Sequence, residues 1–541
     1  MGIQPTIGQV DSAAAAEPLR ARPQTSKRAG VSLFDVGLAL AIGIMAAFAV
    51  FHRLDLSVWF DEAFSYGIGT QSWLSYSSHW LWGSESNMAL YYVVLRGWLG
   101  LLSLLRVAPS EVLLRLPSAL FAVAASVVVF VLGRRMVGRV AGVVGAGLFL
   151  ANVPQMLLAQ TARAYSLALL LLCLSWLALF TALIGNRRIW WAIYVAATVL
   201  SVYALLFAGL VIVSQVVALG LLLALPSPWQ SRVRGAMRPL AASLALAFVL
   251  VLPIGVDALI HGGPNSWIPP VNVGDFRALI HFLGGGSRAY ERVVFGAAAL
   301  SLLLAAGVYV PRLSRFRRGD RETLGTAAAI GAWIAVPVVI SFALTQPGLN
   351  LHLFYPRYLV VVVPPICLLA GLLVETLPSR ALQVLLAMAL ALVSWSPLAL
   401  YYQSPPVQNF SAPVQWIHQH YQSGDGLVCD PEVQCGIPIA YYLQANPGPA
   451  KLDSDSPGRF SWETNSTLPV THDAIRAYAG HHRRLFFIFG PLGHTPAVES
   501  DAASLEAELT ADGYRLVVSF DAPGTAATIR VGLYETAAGG P

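Results

Sequence analysis

The chain has 541 residues, of which 56% are hydrophobic and only 11% charged, and its mean hydropathy is +0.64. That balance excludes an ordinary soluble globular protein, because many of its apolar runs are long enough to cross a hydrocarbon core of roughly 30 Å. The net charge of +6 does not point to nucleic acid, since the basic residues gather in short loops between apolar runs, the pattern that sets membrane topology.

Residues 1–33 carry no periodicity and read as a disordered cytoplasmic leader. The first apolar run, 34–54, starts too late and lacks the cleavage site of a signal peptide, so it reads as an anchor. Arg20, Arg22, Lys27 and Arg28 before it place the N-terminus in the cytoplasm. Directly beyond it comes Trp59-Phe60-Asp61-Glu62-Ala63-Phe64-Ser65. Two adjacent carboxylates at a membrane surface are costly unless they have a partner or a task. The aromatic residues around them predict a partly apolar pocket, a setting that suits a general base. In a turn both carboxylates could converge, or one could catalyse while the other orients a partner. Solvated loop carboxylates are the bland alternative.

Residues 88–106 are apolar enough for a span, but counting them would move Arg134, Arg135, Arg187 and Arg188 to the outer face. Their tyrosines, Trp98 and Arg96 suit a helix lying in the interface instead. Ten further spans fit near 112–133, 140–157, 163–185, 189–204, 205–225, 238–257, 292–310, 323–343, 356–375 and 381–398. The total of about 11 leaves 55–111, 258–291, 344–355 and the tail on the outer face. The inward loops are short and basic, so chemistry belongs outside.

Arg163 and Arg357 stand at the outer ends of two spans, each beside a tyrosine, Tyr165 and Tyr358. Both are expensive at that depth if unpaired, and both suit a phosphate; snorkelling toward headgroups is the alternative use. The loop from His261 to Glu291, with Gly262-Gly263-Pro264-Asn265-Ser266-Trp267-Ile268-Pro269-Pro270 first and Gly284-Gly285-Gly286 later, fits either a donor or acceptor gate or a passive surface loop, and Trp267 could stack on a sugar face. His79, His281 and His352 lack metal-ligand spacing, so no tightly bound metal is expected, and an assisting divalent cation stays open. Residues 401–541 alternate strand-like and helix-like stretches and predict a small extracytoplasmic α/β domain, its last strands antiparallel. Cys429 and Cys435 within it are a plausible disulfide if the domain lies outside the cytosol. Cys173 and Cys367 lie in apolar runs and read as small buried hydrophobes.

Taken together, these positions resemble the GT-C membrane glycosyltransferases, especially the bacterial group of aminoarabinose transferase and protein O-mannosyltransferase. The family's Asp-Glu pair in the first outer loop corresponds to Asp61 and Glu62. Its His-Pro-Pro-Leu-Tyr-Tyr stretch appears as Asn87-Met88-Ala89-Leu90-Tyr91-Tyr92, without the histidine and prolines. Its Gln-Glu-Ala-Arg-x-Tyr appears as Gln160-Thr161-Ala162-Arg163-Ala164-Tyr165, and its late Arg-Tyr as Arg357-Tyr358. Its aromatic segment after the middle spans survives in part as Tyr203-Ala204-Leu205-Leu206-Phe207. The likeness covers about 34–400.

The resemblance implies a mainly α polytopic fold of the GT-C type in a bacterial plasma membrane. It implies transfer of a sugar, mannose by family frequency, from a polyprenyl-phosphate donor to a cell-envelope glycan, lipid or protein. Arabinofuranose and aminoarabinose are the alternative sugars. Asp61 would be the base, with Glu62 beside it; Arg163 and Arg357 would hold the phosphate, and Tyr91, Tyr92, Tyr165, Tyr203, Trp267 and Tyr358 would line the pocket. A lipid or lipid-linked sugar transporter is the rival class, but the paired broken spans of an internal duplication are not found in the sequence.

Overall fold

The computed structural model describes residues 32–77, 86–261, 268–307, 320–349, 351–462, 466–493 and 496–536. Trp267, the rest of the 262–267 gate segment and His79 lie outside the described residues. Among those described, nine helices are long and apolar enough to cross a membrane, or up to eleven if each of two bent pairs is one span. Each apolar run expected to span carries a helix, from Leu33–Phe51 through Arg380–Gln403.

Two runs break where local chemistry demands it. The run near 140–157 divides into Arg139–Ala151 and Val153–Ala159, which meet at 69°. Asn152 caps the second piece through its side chain, accepting from the Gln155 N–H at 3.1 Å, and Pro154 opens its first turn; Asn at the cap and Pro just inside is a helix-start signal. The run after residue 205 begins only at Ala208, since Leu205 is extended and the Leu206 N–H bonds to the Asn87 carbonyl.

The helical segment Ser86–Leu104, which includes the helix Ala89–Leu104, has the length and composition of a span; its polar contacts run to the beginning of the helix Glu111–Met136. Tyr91 Oη meets Ser118 Oγ at 2.9 Å, and Trp98 Nε1 donates to the Leu113 carbonyl at 2.7 Å. Going up its own sequence, the helix therefore moves toward the beginning of Glu111–Met136 and then past it, away from Met136. Arg96 donates to the Gln71 carbonyl at the end of the helix Phe60–Thr70, so it anchors that end.

At the opposite end, Asp35 takes Arg134 and Arg139 at 2.7 Å each, and Glu375 accepts the Ala141 N–H at 2.9 Å. These contacts lock the ends of four helices together, with basic connectors around them.

The C-terminal domain contains β1 (Gly426–Asp430), β2 (Phe460–Ser461), β3 (Ser466–Thr467), β4 (Arg484–Phe489), β5 (Tyr514–Ala522) and β6 (Ile529–Thr536). The main sheet has the order β1-β4-β6-β5, with β1 and β4 parallel and the last two pairings antiparallel. The domain also carries the helices Ser411–His420, Glu432–Ala445, His472–Ala479 and Pro496–Ala511. Cys429 on β1 and Cys435 on the helix Glu432–Ala445 are buried free thiols. The two thiols lie side by side in the domain core, and Cys435 Sγ also lies 3.6 Å from the Ile488 carbonyl.

The domain grips the helix that carries the acidic pair. Tyr441 meets Tyr66 edge to face with ring centroids 4.9 Å apart, and Trp462, next to β2, packs on Phe64 at 5.6 Å. Gly67 makes this approach possible, because a Cβ there would fall 1.8 Å from the Trp462 ring. Tyr442 reaches the connector before that helix: its hydroxyl accepts from the Val58 N–H at 2.7 Å and donates toward Glu111 at 3.1 Å. Burial and the neighbouring Glu111 carboxylate push the Tyr442 hydroxyl up, which keeps it a neutral donor.

Candidate active site

Asp61 and Glu62 occupy the first turn of the helix Phe60–Thr70, where negative charge is favourable. Neighbouring helical residues point about 100° apart, and here the two carboxylates face different surroundings. Glu62 is fully buried and bound bidentately by Arg115, with Nε to Oε1 at 2.7 Å and Nη2 to Oε2 at 2.5 Å. Oε1 also accepts the Ala162 N–H at 2.8 Å. Arg115 in turn donates to the carbonyls of Leu54, Leu56 and Ser57. Glu62 is thus a tie between the acidic helix, the start of Glu111–Met136 and the Gln160–Ala164 loop. Of the two roles open to a paired carboxylate, it holds the orienting one.

Asp61 is only partly buried, and its Oδ2 meets Arg357 Nη1 at 3.1 Å. Its Oδ1 takes no hydrogen bond among the described residues. Arg357 precedes the 3-10 turn Tyr358–Val362 and lies 4.7 Å over the Trp59 ring. Arg163 Nη1 bonds to Tyr92 Oη at 3.1 Å and to Ser65 Oγ at 3.4 Å, one turn along from Asp61. Tyr165, two residues beyond Arg163, is buried.

The structure therefore gathers Asp61, Arg163, Arg357, Tyr92 and Tyr165 at one end of the bundle, on the side of the C-terminal domain. Tyr91 stands behind them: it meets Ser118, whose hydroxyl donates to the Arg163 carbonyl at 3.2 Å. Tyr358 is buried against Tyr355 and Phe207. Tyr203 is not brought in, since its hydroxyl donates to the Leu250 carbonyl on the next helix at 3.1 Å. Among the described residues, no three His, Cys, Asp or Glu side chains form a group able to hold a metal ion.

The structure is similar over its whole length to the crystal structure of ArnT from Cupriavidus metallidurans bound to undecaprenyl phosphate. The TM-score is 0.52 at 14% identity, over 94% of this chain and 99% of that one. ArnT from the same organism in the apo state gives 0.50 at 15% identity, over 92% and 97%. The chain has the GT-C fold. No protein-family model and no curated protein matches the sequence.

Within this GT-C bundle the residue that sequence reasoning missed is Arg115. It sits four residues into an apolar run counted as a span, and a lone arginine there is expensive unless something meets it. That cost was the available signal for a buried carboxylate partner. Gln160 was quoted only as part of a motif; it donates to the Val50 carbonyl at 2.9 Å and accepts from Tyr401 at 2.6 Å, which fixes the loop that carries Arg163.

Proposed function

We propose that this protein transfers a sugar from a polyprenyl-phosphate donor to an acceptor hydroxyl, at the membrane face occupied by the C-terminal domain. The observation that carries the reading is the ion pair of Asp61 with Arg357, with Arg163 held on Ser65 one turn along the same helix, at one end of a GT-C bundle. A carboxylate with one free oxygen beside two cations matches a hydroxyl attack coupled to loss of a phosphate. Full-length similarity to a protein crystallised with undecaprenyl phosphate supports a lipid-phosphate donor.

In the proposed step Asp61 Oδ1 accepts the proton of the acceptor hydroxyl. The oxygen attacks the anomeric carbon, and the bond from that carbon to the phosphate oxygen breaks with inversion. Polyprenyl phosphate leaves, and the charge that grows on it is met by Arg163 and Arg357, groups already in place before the reaction. Tyr92 and Ser65 hold the Arg163 guanidinium at its working position. The apolar bundle offers the prenyl tail a lateral berth worth roughly 0.8 kcal/mol per buried CH₂.

The similarity to ArnT favours aminoarabinose as the sugar, ahead of arabinofuranose and of the mannose expected from family frequency. The acceptor is a cell-envelope molecule, and the basic end around Arg134 and Arg139 faces the cytoplasm. The test supplies purified protein with polyprenyl-phosphate carriers of aminoarabinose, arabinofuranose and mannose, and measures released polyprenyl phosphate together with glycosylated acceptor. Consumption of the aminoarabinose donor, abolished in D61N, is expected. Lipid movement without cleavage of any donor would identify a transporter instead.

A further inference from the structure

We infer that a second cavity, between the membrane helices and the C-terminal domain, is a binding site for an oxyanion, a carboxylate or phosphate group. Its volume is about 210 Å³, well above the roughly 10–15 Å³ that a single water requires. Arg53, Trp59, Arg115 and Glu62 line it from the membrane side, and Tyr401 and Thr525 line it from the end of the last span and from the C-terminal domain. Asp61 is not among its walls.

The charges of this lining do not cancel. Glu62 is fully engaged by Arg115, which leaves Arg53 as the remaining ionised side chain of the cavity. Arg53 is 7% exposed and has no carboxylate partner among the described residues. Its Nη groups donate to the carbonyls of Tyr401 and Ser404, and its guanidinium lies 4.9 Å over the Tyr401 ring. Carbonyl dipoles and a π face orient a cation without neutralising it, and a buried cation is costly without a counter-charge.

The hydrogen-bond inventory points the same way. The Nε–H of Arg53 bonds to nothing among the described residues, and the indole N–H of Trp59 is buried without a partner. Two side-chain acceptors of the lining are already engaged, Ser57 Oγ by the Phe410 N–H at 2.9 Å and Gln160 Oε1 by Tyr401 at 2.6 Å, and Ser404 Oγ lies 3.5 Å from Arg53 Nη1. Spare donors and one uncompensated positive charge select an acceptor-rich anion. A free anion and an acid group carried on a glycan offer this same chemistry. Trp59 also lies beneath Arg357 at 4.7 Å, so an occupant of the cavity abuts the wall of the Asp61 pocket.

The test is calorimetric titration of full-length protein, in nanodiscs of neutral lipid and without turnover, with inorganic phosphate, glucuronate and glucose. Binding of an anion but not of glucose is expected. Phosphate binding as tightly as glucuronate assigns a free anion; glucuronate alone binding assigns an acid-bearing glycan. R53M lowers the affinity at least tenfold. T525W, which blocks the cavity while keeping the backbone bond of residue 525 to the Pro406 carbonyl, does the same and decides the matter if R53M fails to fold. Absence of anion binding, or anion binding that survives T525W unchanged, overturns the assignment.

Discussion

Neutralising each member of the acidic pair in turn separates support from chemistry. In E62Q the side chain keeps its shape and can still accept a hydrogen bond, but Arg115 is left charged in a site where the two side chains are 4% and 0% exposed. Breaking a buried pair on one side costs about 3–5 kcal/mol, a shift of roughly 10² to 10³ or more in the folding equilibrium. D61N removes a single 3.1 Å contact between side chains that are 18% and 25% exposed, so water can take up part of what is lost and the cost is smaller than for E62Q. The assay is fluorescence-detected gel filtration of detergent-solubilised protein after stepwise heating, with donor turnover measured on the same preparations. E62Q should melt well below wild type, D61N should melt with it and be inactive, and E62Q/R115M should recover most of the lost stability. If E62Q melts like wild type while D61N is the unstable variant, the division of labour between these neighbours is wrong.

Arg163→Ala should lower kcat/KM for the lipid donor by about 10²-fold or more, the usual cost of losing an oxyanion-stabilising group; an unaltered donor titration would remove it from the phosphate site. Gly67→Ala places a Cβ 1.8 Å from Trp462 and should destabilise by roughly 1–3 kcal/mol as overpacking does, with Trp462→Leu in the same chain restoring the melting temperature. Glu508 holds the His472 imidazolium above its ordinary value of 6.5, so the contribution of this pair is complete below that pH and is lost as pH rises through the higher folded-state value. Melts between about pH 5 and 9 should slope less in H472Q than in wild type over that window; parallel curves would refute the linkage.

Much of this architecture was legible because hydrocarbon thickness imposes a length on every apolar run, and the basic residues mark which ends belong together. Asp61, Arg163 and Arg357 could be grouped before the fold was seen, since ionised side chains at that depth need a reason and these stood at the same predicted face. Sequence spacing carries no information on which of two adjacent carboxylates turns inward. That choice depends on Arg115, concealed in a run whose hydropathy reads as lipid-facing. Tyr203 failed for a related reason: its motif neighbour Phe207 does approach Tyr358, but Leu205 breaks the helix and leaves Tyr203 facing Leu250. The spacing of Cys429 and Cys435 pointed to their proximity, whereas the buried setting of both thiols comes from a sheet assembled over long sequence distances.

The fit of Trp462 into the space above Gly67 has a bearing on protein engineering. The tail acts as a splint on the acidic helix, so a trimmed version ending at the last span would lose its brace along with its surface. Chimeras that exchange tails between related proteins should inherit the indole and the glycine as a unit, because either one alone leaves a gap or a collision against the helix that carries Asp61.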